Sequence, residues 1–174
     1  MKINDALVAV RETGGAIQFV PEALRTEEVC LAAVQQEGCA LQYVPQYTEE
    51  VCLAAVRQDG YALQYVPKSQ RTEELCLAAV QQTGWAMQFI PEVLRTDELC
   101  LIAVQDTGWA LAYVPEALCT EALCLIAVQK TANVWQYVPK RLRTKDVCIA
   151  AMQKEGYLRE YIPTNLKESV KNEN

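Results

Sequence analysis

The chain has 174 residues, 51% hydrophobic and 22% charged, with a net charge of −6 and no histidine. That length and apolar share suffice for one continuous core, and no uninterrupted apolar stretch approaches the roughly 18–20 residues that cross a bilayer. The missing imidazole removes the commonest general base and the usual partner of a nucleophilic serine or cysteine. The acidic balance argues against direct nucleic-acid binding, which needs clustered lysine and arginine.

Prolines recur at Pro21, Pro45, Pro67, Pro91, Pro115, Pro139 and Pro163, spaced by 24, 22, 24, 24, 24 and 24 residues. Such a period marks tandem structural repeats, in which most recurrences serve packing and the departures are free to recognise something. In chain order, Met1–Val10 reads as a first helix from its middle onward, without the Thr-Glu-Glu opening seen later. Thr26 then offers an N-cap hydroxyl, and Glu27 and Glu28 set negative charge at the positive end of a helix dipole. The run Val29–Val34 is apolar on every side, and Gly38 suits a left-handed C-terminal position. Gly60, Gly84, Gly108 and Gly156 recur in that phase. A short apolar stretch follows each, as in Trp85–Ile90. Alanine and glutamine within it, and no strict alternation, favour a second helix of about two turns over a strand. Proline ends it and opens a tight Pro-x-x-Leu turn.

The departures come in the same order. The junction Pro45-Gln-Tyr-Thr48 is two residues short, which changes its turn, and Gln70 replaces the leucine of Leu24, Leu94, Leu118 and Leu142. In the sixth repeat Thr131-Ala-Asn-Val-Trp135 stands for Thr-Gly-Trp-Ala-Leu. Asn133 is expected in the left-handed position and Trp135 in the leucine slot, giving a bend or a bespoke contact surface at 131–136. Helices apolar all round are stable only when buried between neighbours. The expected fold is therefore all-α: an α-solenoid of about seven 24-residue helix–turn–short-helix repeats in a right-handed superhelix. It forms one domain over residues 1–166, with a polar tail at 167–174.

Six cysteines share one phase: Cys30, Cys52, Cys76, Cys100, Cys124 and Cys148. Equivalent positions of neighbouring repeats lie about 9–10 Å apart, beyond the roughly 4.4–6.8 Å Cα separation of a disulfide, and a row does not converge on a metal. They read as small soft hydrophobes, as Ala6 in the same slot suggests, so no metal site and no cofactor is expected. Cys39 and Cys119 are out of phase. Cys119 stands where Arg25, Arg71, Arg95 and Arg143 stand, with Cys124 five residues on in a staple-like relation, and it is the thiol to watch for reactivity.

The first residue of the short helix varies most: Gly15, Cys39, Tyr61, Trp85, Trp109, Asn133 and Tyr157. Its central Tyr61–Trp85–Trp109 row has the composition of interface centres, unless each ring packs on the aromatic four residues later (Tyr65, Phe89, Tyr113). The candidate partner surface is Tyr61, Trp85, Trp109, Asn133, Trp135 and Tyr157; no residue is assigned a catalytic role. Two glutamine rows, Gln18, Gln42, Gln64, Gln88, Gln136 and Gln35, Gln81, Gln105, Gln129, Gln153, either link repeats or face a partner's backbone. Residues 1–138 carry a net −9 and residues 139–174 a net +3. The basic end suits an acidic partner or the acidic end of another copy, so a monomer or weak self-association is expected.

The segment Thr72–Pro91, with its L-A-A-V-x-x-x-G-[YW]-A-L core, resembles the bacterial and protist repeats of domain of unknown function 4116, over about residues 5–166. The resemblance implies tandem helical repeats, often in large proteins of intracellular or host-associated bacteria, with no assigned activity and no functional residues to carry over. The 24-residue period is shorter than the family's longer forms. The expected function is a non-catalytic protein–protein interaction scaffold with a protein partner, no nucleic acid and no membrane. Met1-Lys-Ile-Asn-Asp lacks the apolar core of a signal peptide, so a cytoplasmic protein, or an effector secreted without a cleaved signal, is expected. The alternative is an acidic inhibitor or decoy of phage or pathogen origin that occupies a nucleic-acid-binding protein. Metal or redox storage in the cysteines is a third reading.

Overall fold

A computed structural model describes residues 1–154. It contains seven ten-residue α-helices: α1 (Ile3–Glu12), α2 (Glu27–Gln36), α3 (Glu49–Gln58), α4 (Glu73–Gln82), α5 (Asp97–Asp106), α6 (Glu121–Lys130) and α7 (Lys145–Lys154). After each of the first six comes a six-residue 3-10 helix: Gly14–Phe19, Gly38–Tyr43, Gly60–Tyr65, Gly84–Phe89, Gly108–Tyr113 and Ala132–Tyr137. No strand occurs among the described residues. The chain is an all-α repeat protein of the solenoid kind, with the short second helix wound as the tighter 3-10 form, which suits pieces of this length.

Two compact units are distinguished, residues 1–94 and the stretch from Arg95 onward. In the first, α1 to α4 pack in sequence, and α2, α3 and α4 each touch their own 3-10 helix and that of the preceding repeat. In the second, α6 packs on α5, on α7 and on the 3-10 helices at Gly108–Tyr113 and Ala132–Tyr137. This is why an α-helix here needs more than one apolar face. In α2, Val29, Cys30, Ala33 and Val34 are all buried, and Leu41 of the following 3-10 helix is fully enclosed.

The helix starts follow the capping pattern. The hydroxyls of Thr48, Thr72, Thr96, Thr120 and Thr144 accept the N–H three residues on, from Val51, Leu75, Leu99, Leu123 and Val147. Thr26 makes no such bond. At the front, α1 is a complete ten-residue helix rather than the later part of one; without a capping threonine, its start is tied by the Asp5 carboxylate, which accepts the Lys2 backbone N–H at 2.8 Å.

The helix ends overturn the left-handed reading. No described residue, glycine included, has a positive φ. The chain leaves each of the first six helices through an extended residue, such as Glu37 at φ −140° or Thr83 at −156°, whose N–H bonds the carbonyl four residues back. Glycine follows for another reason. A Cβ on Gly14 would lie 2.4 Å from the Ala33 carbonyl oxygen of the next repeat, and one on Gly38, Gly60 or Gly108 would lie 2.5 Å from that of Ala55, Ala79 or Ala127. Nor does Asn133 adopt the left-handed region; the glycine slot of the sixth repeat is filled by Ala132.

Between repeats, the Pro-x-x-Leu segments form short 3-10 turns at Glu22–Leu24, Lys68–Gln70, Glu92–Leu94 and Lys140–Leu142. Gln70 closes its turn as Leu24 does, each N–H reaching the proline carbonyl at 2.8 Å. Proline's fixed φ therefore sets the turn, and leucine is dispensable to it. The short junction 45–48 has no such turn. No helix among the described residues is long and apolar enough to cross a membrane. The predicted tail, 167–174, lies outside the described residues.

Candidate interaction surface

Of the arginines that precede capping threonines, Arg25 and Arg71 bind carbonyls of two repeats at once. Arg25 donates from Nε to Val20 O (2.9 Å) and from Nη2 to Gln18 O (3.3 Å), and from Nη1 to Tyr43 O of the next repeat (2.8 Å). Arg71 repeats this on Val66 O (2.9 Å), Gln64 O (3.2 Å) and Phe89 O. In the second unit Arg95 reaches Tyr113 O (2.7 Å), and Arg143 holds Val138 O (3.1 Å) with its guanidinium 5.0 Å from the centre of the Trp135 ring. A forked, permanently charged donor can serve several carbonyls together, and an ammonium cannot match that geometry. Tyr47 and Cys119 stand in this slot at two junctions. At the second, Arg141 of the following junction reaches back to Glu116 O (2.7 Å) and Cys119 O (3.1 Å), its Nε 3.7 Å from the Glu116 carboxylate.

These clamps hold 3-10 helices that start at the glycine, so the sequence candidates Tyr61, Trp85 and Trp109 are their second residues. In the first unit Tyr61 is 39% exposed and Trp85 half-buried, on 3-10 helices that touch each other. Their backbones are capped: Asp59 Oδ1 accepts the Tyr61 N–H (2.9 Å) and Thr83 Oγ1 accepts the Trp85 N–H (3.4 Å). Tyr61 meets Phe89 edge to face, centroids 6.3 Å apart at 72°. In the second unit half-buried Trp109 meets Tyr137 at 6.1 Å and 71°. Tyr61 and Trp109 thus rest on the late aromatic of the following repeat, not on the ring four residues along their own.

Asn133 is exposed. Trp135 is not a surface residue: it is 4% exposed, close to the 3% of Leu111 in the same slot, and Arg143 covers its face. The indole fills the leucine position, so within 131–136 only Asn133 and Gln136 are exposed and the bespoke surface built on Trp135 is dismissed. Tyr157 lies outside the described residues.

Both glutamine rows are exposed. In the first row, the Nε2 groups of Gln18, Gln42 and Gln88 close back onto the carbonyls of Gly15, Cys39 and Trp85 at 3.0–3.1 Å, which leaves each amide oxygen for another donor. Linkage between repeats falls to the neighbouring phase instead. Gln58 accepts the Gly38 N–H (2.6 Å) and donates to Gln36 O (3.2 Å), and the Glu37 carboxylate accepts the Gly15 N–H (3.1 Å). Sequence reasoning missed the roles of Gln58 and of the arginines; their one signal was the arginine's recurrence before the capping threonine.

The six in-phase cysteines are buried and unpaired by disulfides. Burial pushes the thiols of Cys52, Cys76 and Cys100 up to about 11. Cys30 donates to Arg25 O at 3.5 Å and Cys148 to Arg143 O at 3.7 Å, whereas Cys124 meets the sulfur of Cys119 at 3.6 Å. Two clefts open beside the junctions that lack the arginine. One of about 760 Å³ lies where the missing turn leaves space, among Glu22, Arg25, Thr26, Glu27, Gln46 and Thr48. Another of about 560 Å³ lies among Leu111, Glu116, Cys119, Tyr137, Lys140 and Arg141.

Fold and surface together define a tandem helical-repeat protein, its neighbouring repeats tied by side-chain-to-backbone bonds and its variable side chains displayed on short 3-10 helices. The profile of a family described as a domain of unknown function, DUF4116, matches at residues 6–48, 27–71, 72–119 and 121–167, and the chain belongs to that family. Each match covers about two of the proline-to-proline repeats, which accounts for the apparent shortness of the 24-residue period. No curated protein and no solved structure matches the chain.

Proposed function

We propose that this protein is a non-catalytic interaction scaffold, acting in the cytoplasm, that holds a protein partner against the second residues of its 3-10 helices. The observation that carries this reading is the placement of Tyr61, Trp85 and Trp109. Each is partly exposed, Tyr61 and Trp85 at backbone positions capped by Asp59 and Thr83, and Tyr61 and Trp109 are each met edge to face by a second ring. Rigid aromatics of that kind contribute most of the energy in protein interfaces, since little side-chain freedom is lost when they are covered. The exposed amides of Gln64 and Gln88 beside them suit a partner's backbone N–H groups. Capture of the partner by the wild-type chain, compared with Trp85→Ala and Trp109→Ala, tests the assignment. Loss of capture in either variant is expected, and full retention in both would remove the aromatics from the interface.

One observation favours the second reading, an acidic decoy for a nucleic-acid-binding protein. The first-turn pairs Glu27/Glu28, Glu49/Glu50 and Glu73/Glu74 of α2, α3 and α4 are all exposed. Binding by those carboxylates would weaken steeply between low and physiological salt, whereas binding through the aromatics would change little.

A further inference from the structure

The geometry points to a reactive dithiol in the second unit: Cys119 and Cys124 form a site at which a hydroperoxide oxidises the pair to a disulfide, Cys119 attacking and Cys124 resolving. The two sulfurs are 3.6 Å apart and unbonded. The fold creates that approach, because the same five-residue step brings Cys30 to the Arg25 carbonyl and Cys148 to the Arg143 carbonyl. Replacing the junction arginine by cysteine puts a second thiol where the repeat already directs the first. Closure to the roughly 2.05 Å of a disulfide asks the side chain of Cys119, two residues ahead of α6, to swing toward Cys124.

The two thiols are unequal. Cys119 is 5% exposed and borders the 560 Å³ cleft, while Cys124 is fully enclosed behind it. Arg141 and Lys140 line the same cleft, and Glu116 balances part of that charge through its contact with Arg141. A hydrogen bond from Cys124, aided by the Arg141 guanidinium, holds the Cys119 thiol below its ordinary range. The shared hydrogen bond and burial push Cys124 upward, so it keeps its proton. A small oxidant therefore meets a thiolate-forming sulfur first, and Cys124 has to lose its proton to attack the sulfenic acid that forms there.

The chemistry closes on itself. The Cys119 thiolate attacks one oxygen of hydrogen peroxide, the O–O bond breaks, and the departing hydroxide takes a proton to leave as water. The resulting sulfenic acid is attacked by the Cys124 sulfur, which gives up its proton as the S–S bond forms and a second water departs. Two thiols lose two electrons and one peroxide gains them.

The test uses the full chain carrying Cys39→Ser, which removes the exposed thiol. After one equivalent of hydrogen peroxide, free thiols counted in denaturant are expected to fall from seven to five. Cleavage after Glu121 without reduction should leave the segments holding Cys119 and Cys124 joined. In Cys124→Ser the reaction should stop at a sulfenic acid on Cys119 that dimedone traps. Seven thiols surviving in protein of unchanged circular dichroism, or a disulfide linking other cysteines, would overturn the assignment. The thiol count and linkage need neither cysteine of the pair to be replaced, so they stand even if Cys124→Ser does not fold.

Discussion

Adding one methyl group at Gly60 would set a carbon 2.5 Å from the Ala79 carbonyl oxygen and 2.9 Å from the Thr83 methyl. Neither neighbour can yield cheaply, since Ala79 belongs to the buried face of α4 and its carbonyl already accepts the Thr83 N–H. Gly60→Ala should therefore cost about 1–3 kcal/mol, the range for overfilling a packed site, read as a lower urea midpoint at unchanged slope. An increase in stability, as expected where alanine merely stiffens a loop, would show that the two repeats do not approach as described. The glycine is a spacing device between neighbours, and its backbone angles are ones any residue adopts.

At the scale of one element, the junction 45–48 departs most. It lacks both the 3-10 turn and the arginine that bridges carbonyls of adjacent repeats at Arg25 and Arg71. Replacing Gln46-Tyr47 by the Glu-Ala-Leu-Arg found at 22–25 should restore turn and bridge, fill the neighbouring cleft and add about 1–3 kcal/mol through the charge-assisted bonds. Thermal unfolding would register this as a higher Tm, and a fall would mean that the shorter linker is required by the packing around it. What was legible in the sequence divides along the same line. Helix starts, helix lengths and the proline-set turns could be read, because the Thr72 hydroxyl and the Pro67 carbonyl act within three residues of their own positions. The bridging of Arg25 to Tyr43 and of Gln58 to Gly38 could not, because those partners lie 18 and 20 residues away and leave no local pattern. Trp135 shows the middle case: its slot was legible, but only the packing of Arg143 over it decides that a ring in that slot is covered.

Over the whole molecule the in-phase cysteines give a pH signature. The thiols of Cys52, Cys76 and Cys100 ionise near 9 when exposed and are pushed up to about 11 by burial. The unfolded chain releases those protons first, so their contribution to stability is complete below about pH 9 and lost as the pH climbs through 11. Urea unfolding at pH 8 and at pH 10.5 should show a fall in stability at the higher pH. The fall should be shallower in a triple Cys→Ala variant, which the fold should accept because Ala6 fills the same buried slot. Equal slopes in the two proteins would mean that the thiols are already ionised or solvated.

The glycine-to-carbonyl contact has a consequence for how such an array changes over generations. Gly14, Gly38, Gly60 and Gly108 present the same socket to an alanine carbonyl of the repeat that follows. A block cut from one proline to the next and spliced in elsewhere would meet a matching joint on both sides. Unequal exchange between near-identical gene segments can then lengthen or shorten the array by whole blocks without any new joint having to evolve. The sixth block, with Ala132 in the socket, is where such splicing should fail.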